Sequence, residues 1–444
     1  MMRKLFSGIL LTAAAVSMAA MPVMADEATT GEAETMPDLS GLGDVTLRFS
    51  WWGGDERNEA TMQVIDQFEK LYPNITIEGE YGSSDGYHDK LATQLASGTA
   101  ADIVQVDPET FPTFINVNPD YFLNLDDLDI DMSDFSEDYI HKQINGYYDG
   151  KQLGLPTGIA GGAILVNQDL ADEIGVDLSK DNLTWEDWIE MGKKVHEYDD
   201  SMYLLCTNKE MIQQTIVNTY CKQLIGGTIY QDGKLALTQD QLTEVLNYVK
   251  ELYDSNTVAP ASYQASYVGD DIQSDANWIA GKYVAEICWI STVDVVVAAN
   301  PTPNYTIGNL PVIADAKDGG WASNTPQVLA ITSTCKYPEA AAAFLNYFFN
   351  NSEAQETLGA TRSVPPTESA RKIATENGKL TDIVSEAADK ALEVNGTSND
   401  GITGSEEFRT IMSDAVEQIG YGQGTPEDVA ADTIDQLKDL EQTD

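Results

Sequence analysis

The stretch LRFSWWGGDERNEATMQVIDQFEKLYPNITIEGEYGSSDGYHDKLATQLASGTAADIVQVD, residues 47–107, decides the fold. It continues a short β-rich run that begins at Val45 (VTLRFS, residues 45–50). Residues 56–71 then carry apolar side chains at Met62, Ile65, Phe68 and Leu71, the spacing that lines one helix face, and residues 74–78 alternate as a strand does. Residues 87–97 return to helical spacing with Leu91 and Leu95, Gly98 closes the helix, and residues 102–106 (DIVQV) read as a third strand. This β-α-β-α-β alternation predicts a mostly parallel sheet flanked by helices. In such sheets ligands settle in loops at the carboxyl ends of the strands.

Further along, a second unit opens near residues 153–156 (LGLP), with a strand over 162–166 (GAILV) and a helix from Gln168. Thr184-Trp-Glu-Asp187 is a capping box ahead of a helix to Tyr198. Strand 203–206, a helix over 209–224, a helix over 239–253, strand 327–332 and a strongly apolar helix over 338–350 follow, and residues 363–366 (SVPP) form a stiff extended link. No repeat of the solenoid kind is visible. In the other direction, Arg3 and Lys4 precede a small-residue apolar stretch that ends in Val23-Met24-Ala25, which predicts a signal peptide cleaved after Ala25. Residues 26–44 are acidic and nearly free of apolar side chains, so a solvated tether is expected there.

The 444 residues carry 25 Lys plus Arg against 72 Asp plus Glu, a formal charge of −47. Such a surface repels phosphate backbones and anionic headgroups, which excludes general nucleic-acid binding and polybasic membrane association. Cys206, Cys221, Cys288 and Cys335 lack C-x-x-C spacing, and His88, His141 and His196 are scattered, so no metal site is expected. Single buried thiols are the expectation, with Cys206 and Cys221 the nearest candidates for a disulfide. The acids of residues 126–131 lack the glycine turn and trailing glutamate of a calcium loop and read as a solvated loop. Hydrolase and P-loop motifs are missing, and with so many carboxylates a glycosidase pair cannot be read from spacing; a binding protein without catalytic groups or cofactor is expected.

The aromatic residues say more. Trp51-Trp52-Gly-Gly-Asp55-Glu-Arg57 follows the first strand directly, where a glycine pair can aim an indole face and a carboxylate into a cleft. Sugars call for that combination, since their C–H faces stack on aromatic rings while their hydroxyls pair with groups such as Asp and Arg. One of the two tryptophans is expected to serve the core instead. Trp289 and Trp321 sit among small and polar residues, where packing and binding are both open readings.

Residues 47–107, the run LPTGIAGGAILVNQDL (155–170), TWEDW (184–188) and YPEAAAAFLNYFFNNSEAQETLGATRSVPP (337–366) resemble, in that order and spacing, the extracellular solute-binding proteins of carbohydrate ABC importers. The resemblance covers the chain from Val45 onward. It implies an α/β, two-lobed periplasmic-binding-protein-like (type II) fold with a ligand cleft between the lobes. The amino-terminal lobe would be residues 45–156 plus 333–365, and the carboxyl-terminal lobe 160–328 plus 366–444. Crossings are expected near residues 156–159, 329–332 and 365. Ligand-binding residues would then be Trp51 or Trp52, Asp55, Arg57, Tyr87, Gln105 and Asp107 in the first lobe, Trp289 and Trp321 in the second, and Arg362 near the hinge. A monomer is implied that captures an oligosaccharide, closes, and is recognised by importer membrane subunits at the outer face of the cell membrane. Gram-positive members of this family are usually lipoproteins, whereas no cysteine lies near residue 25 here. The Trp-Trp-Gly-Gly opening is most similar to binders of pectin-derived uronate oligosaccharides, with Arg57 and Arg362 as carboxylate partners. A neutral plant oligosaccharide is nonetheless the expectation placed first and a uronate-bearing one its alternative, with a secreted polysaccharide-active enzyme or a surface glycan-binding scaffold the more distant ones.

Overall fold

A computed structural model describes residues 37–267 and 274–441; the expected signal peptide and most of the acidic tether lie outside the described residues. From Leu39 onward the chain forms one unit organised by two sheets. The strands of these two sheets are β1 (Val45–Trp52), β2 (Ile75–Gly82), β3 (Ile103–Val106), β4 (Leu155–Pro156), β5 (Gly162–Asn167), β6 (Tyr203–Cys206), β7 (Tyr283–Trp289), β8 (Tyr305–Ile307) and β9 (Val328–Ile331). The first sheet has the order β2-β1-β3-β9-β4 and the second β8-β5-β7-β6.

In the first sheet, β1 runs parallel to β2 from Val45 opposite Ile75 to Trp52 opposite Gly82, and parallel to β3 at Phe49 and Ser50. Helix α1 (Asp55–Leu71) links β1 to β2, and α2 (Tyr87–Ser97) links β2 to β3. Val45, Leu47, Phe49 and Trp51 are all buried. Their period of two places them on one face of β1. There Phe49 and Phe68 of α1 meet Phe344 of helix Pro338–Asn350, with ring centroids 5.8 and 5.3 Å away. The strand order reverses between β1 and β3, so a crevice is expected at their carboxyl ends, beside Trp52 and Asp107.

The second sheet is mixed. β7 runs antiparallel to β5, with Trp289 opposite Gly162, and parallel to β6. Thr184 and Asp187 form the capping box expected of them: Asp187 N donates to Thr184 Oγ1 at 3.1 Å and Thr184 N to Asp187 Oδ2 at 2.8 Å. The carboxyl-terminal helices Glu406–Gly420 and Pro426–Lys438 pack Phe408, Val416 and Leu437 into the core that holds Leu242, Val245 and Val249 of helix Gln239–Asp254. Cys206, Cys221 and Cys288 are buried and all four cysteines are unbridged.

Three extended segments pass between the sheets side by side. Ile159 N donates to Val364 O at 2.8 Å, Ala160 and Asn324 exchange backbone hydrogen bonds of 2.8 and 2.9 Å, and Thr157 N donates to Gln327 O at 2.9 Å. Ser363 sits at φ +116°, a conformation that L residues rarely adopt, and its Oγ donates to Ile159 O at 3.1 Å.

Three contacts bear on where the segments change sides. β9 lies wholly in the first sheet, paired with β3 and β4, so that crossing falls at residues 324–327 rather than 329–332. Helix Glu368–Glu376 bonds to both sides of residue 366, with Ser369 N and Oγ donating to Asp134 Oδ2 and Arg371 NH2 to Asp389 Oδ1 at 2.9 Å. The tether ends before Val45, because Leu39 is buried and its carbonyl accepts from Asn74 Nδ2 at 3.2 Å.

Candidate functional site

On the first lobe, the residues at the carboxyl ends of β1 and β3 converge. The backbone carbonyl of Trp52 accepts from Gln105 Nε2 at 3.1 Å and from Arg57 NH1 at 3.2 Å. The Trp52 indole lies 4.9 Å from the Tyr87 ring and 5.0 Å from the His88 ring. Tyr87 OH donates to Ser50 O at 3.0 Å, and burial pushes its phenol pKa up. Asp107 N donates to His88 Nε2 at 3.2 Å, and burial lowers the His88 pKa against the pull of Asp107 and Asp89. Arg57, also lowered by desolvation, reaches Thr361 O through Nε at 3.3 Å. The cluster is therefore bonded directly to the third crossing.

Arg362 holds that link from behind. It is 4 % exposed, donates from NH1 to Gln105 Oε1 and from NH2 to Thr61 Oγ1 at 2.9 Å, and stands 5.4 Å over the Phe348 ring. Burial first, then the like charge of Arg57, lowers its pKa to about 9. NH1 and NH2 are thus engaged with protein partners, and only the buried Nε has no hydrogen-bond partner among the described residues. Of the tryptophan pair, Trp51 is fully buried, donates from Nε1 to Asn58 Oδ1 at 2.9 Å and stacks on Tyr81. It serves the core, and Trp52, on the opposite face, is the partly exposed one. Asp55 is the exposed first residue of α1, and Asp107 Oδ1 accepts from Glu109 N and Thr110 N, fixing the turn after β3.

On the second lobe, Trp289 and Trp321 line one cavity of about 240 Å³ together with Ala160, Gly161, Gln214, Asn218, Lys222 and Asn324. The cavity lies at the crossings. Gly162 lets the Trp321 ring lie close: a methyl group there would stand 2.8 Å from Trp321 Cζ3. Trp321 Nε1 donates to Thr215 O at 2.9 Å, which fixes the plane of the ring. A second cavity of about 510 Å³ also has Trp321 in its wall and is bounded by residues such as Asp181, Asn309 and Asn395.

Sequence reading missed His88 and the polar wall of this cavity. Gln214 and Thr215 lie on a π-helical segment, Ile212–Val217, inside what the sequence reads as one helix over 209–224. The wider turn of a π-bulge swings side chains out of the α-helical register, and such bulges gather at functional sites. A signal was present: Thr215, Asn218 and Lys222 are polar at helical spacing yet buried.

Residues 54–355 match the family described as bacterial extracellular solute-binding protein. The chain is 23% identical over 342 residues to the arabinooligosaccharide-binding protein of Bacillus subtilis (strain 168), covering 73% of each. Among solved structures, an extracellular solute-binding protein family 1 from Alicyclobacillus acidocaldarius aligns with a TM-score of 0.80 and 26% identity over 90% of this chain and 99% of its own. A periplasmic oligogalacturonide binding protein from Yersinia enterocolitica aligns with a TM-score of 0.73 and 25% identity over 89% and 100%. The two lobes, their three crossings and a match that runs through both sheets make this chain a member of the bacterial extracellular solute-binding proteins.

Proposed function

We propose that this protein captures an oligosaccharide between its lobes and delivers it to the membrane subunits of an ABC importer. The observation that carries the reading is the cavity at the crossings, walled by Trp289 and Trp321 and floored by amide, hydroxyl and ammonium groups. Indole faces suit the C–H faces of pyranose or furanose rings, and planar amides suit their hydroxyls. The relatives that carry names for arabinooligosaccharide and oligogalacturonide binding support the same class of ligand. Trp52, Arg57, Tyr87 and His88 supply the facing surface. Asp55, at the rim, is free to meet hydroxyls on closure; Trp51, Gln105, Asp107 and Arg362 act as supports behind them.

Ligand that touches both surfaces favours the closed arrangement, and the Arg57–Thr361 and Arg362–Gln105 bonds tie the first-lobe surface to the crossing that must bend. Hydrolysis by protein acids needs two carboxylates at the glycosidic bond. The matched family and the named relatives are binding proteins, which supports capture without turnover. Export with cleavage after Ala25, and action as a monomer outside the cell membrane, complete the reading. The test is small-angle scattering and calorimetry with a panel of plant oligosaccharides. Saturable binding with a smaller radius of gyration and unaltered sugar is expected; binding without compaction, or release of shortened sugar, would refute delivery by lobe closure.

A further inference from the structure

The cavity beside Trp289 and Trp321 has a feature at odds with the rest of the chain. Acids outnumber bases nearly threefold, 72 against 25, yet its described lining contains no Asp or Glu and one lysine. Lys222 is 4 % exposed. Its Nζ donates to Thr397 O at 2.7 Å, and no ion pair among the described residues includes it.

The nearest acids are spent elsewhere. Asp318 accepts from Gly320 N at 2.7 Å and from Thr397 N at 2.9 Å and Thr397 Oγ1. Asp400 accepts from Thr403 N at 2.8 Å, Tyr230 N at 3.1 Å and Thr403 Oγ1 at 2.6 Å. Lys142, from the first lobe, adds a second positive charge felt at Lys222, itself facing Asp138 and Asp318 at longer range and likewise in no ion pair among the described residues. A buried ammonium without a direct counter-ion is costly, and a chain this rich in carboxylates could readily have supplied one. The cost is recovered when a ligand brings the carboxylate.

Resting on the oligosaccharide reading, we infer that this cavity selects a uronate-bearing sugar, with Lys222 as the counter-ion to the ligand carboxylate and Lys142 reinforcing it from the opposite lobe. This moves charge recognition away from Arg362, which is locked in the core. Burial, eased by Asp318 and Asp400 and sharpened by Lys142, sets the Lys222 pKa at about 8, so the ammonium form still prevails at neutral pH.

The test compares digalacturonic acid with the neutral disaccharide galactobiose and with arabinotriose by calorimetry on the full mature chain at matched salt. The acid should bind at least tenfold more tightly than galactobiose, a difference of about 1.4 kcal/mol. Lys222→Met should erase that preference, and Lys142→Met should cut it severalfold. Equal or tighter binding of the neutral sugars by the wild type overturns the inference and leaves the sugar-binding reading standing. A preference that survives in a folded Lys222→Met overturns it equally. If Lys222→Met does not fold, an unchanged preference in Lys142→Met does so instead. Binding of no sugar at all would refute the oligosaccharide reading beneath it.

Discussion

Gly162→Ala tests the site through a single methyl group. The new carbon would stand 2.8, 2.9 and 3.0 Å from Cζ3, Cη2 and Cε3 of Trp321, whereas carbon contacts are comfortable at about 3.5–4.0 Å. The ring must retreat by roughly 0.7 Å or more. It cannot do so as a rigid body, because the Trp321 backbone is boxed in: a methyl at Gly396 would lie 2.0 Å from its carbonyl oxygen. The indole therefore tilts, which strains the Nε1 bond to Thr215 O and pushes the ring toward the sugar's place. Gly162 has no positive φ, so alanine adds no backbone strain of its own. Overpacking costs about 1–3 kcal/mol, or a few degrees of Tm, and a misaligned stacking face about 1 kcal/mol, near fivefold in Kd. Gly161→Ala is the control, since its methyl meets Ile290 and Ala391 at ordinary distances of 3.5 and 3.6 Å. Calorimetry with the best oligosaccharide of the panel should show Kd raised about fivefold in Gly162→Ala and unchanged in Gly161→Ala, with both folded. Equal affinities in the two variants would refute Trp321 as a ligand platform.

Other outcomes follow from the same structure. Trp51→Ala should lose about 3–5 kcal/mol of stability in denaturant titration and keep the affinity of whatever fraction folds, while Trp52→Ala should do the reverse, weakening binding with little change in midpoint; matching phenotypes would refute the division of labour. Lys222, lowered to about 8 when folded against an ordinary lysine value when unfolded, lets the unfolded chain hold one more proton between those values, so ligand-free stability attributable to it rises as pH goes from 8 toward 10. Urea midpoints of wild type and Lys222→Met should converge or cross over that window, and parallel profiles would refute the buried-ammonium account. The four cysteines should appear as free thiols, with Cys206, Cys221 and Cys288 reacting with a thiol reagent only on unfolding; a bridged pair found by mass spectrometry would contradict this.

Much of this molecule is legible in its sequence. The alternation over residues 45–106, the capping box at Thr184 and the apolar helix Pro338–Asn350 are local patterns, fixed by propensity, periodicity and caps, and they recur in place. Even the choice between Trp51 and Trp52 was present in the sequence, because Val45, Leu47, Phe49 and Trp51 share the parity of the buried face. The charge excess and the missing motifs narrowed the function through composition alone.

What depended on tertiary structure is whatever depends on partners distant in sequence. Arg362 reads as a ligand-facing arginine until Gln105 and Thr61, more than 250 residues away, are seen to take its guanidinium. β9 could be taken for a crossing until its pairing with β3 and β4 placed it inside a sheet. The cavity exists because Gly162, Trp321, Trp289 and the π-helical Gln214 come together from four separate segments, and no local pattern records which of them will meet. Periodicity tells a side chain which face of its own element it occupies; only the packing of one element on another decides whether that face meets the core, a neighbour or a ligand.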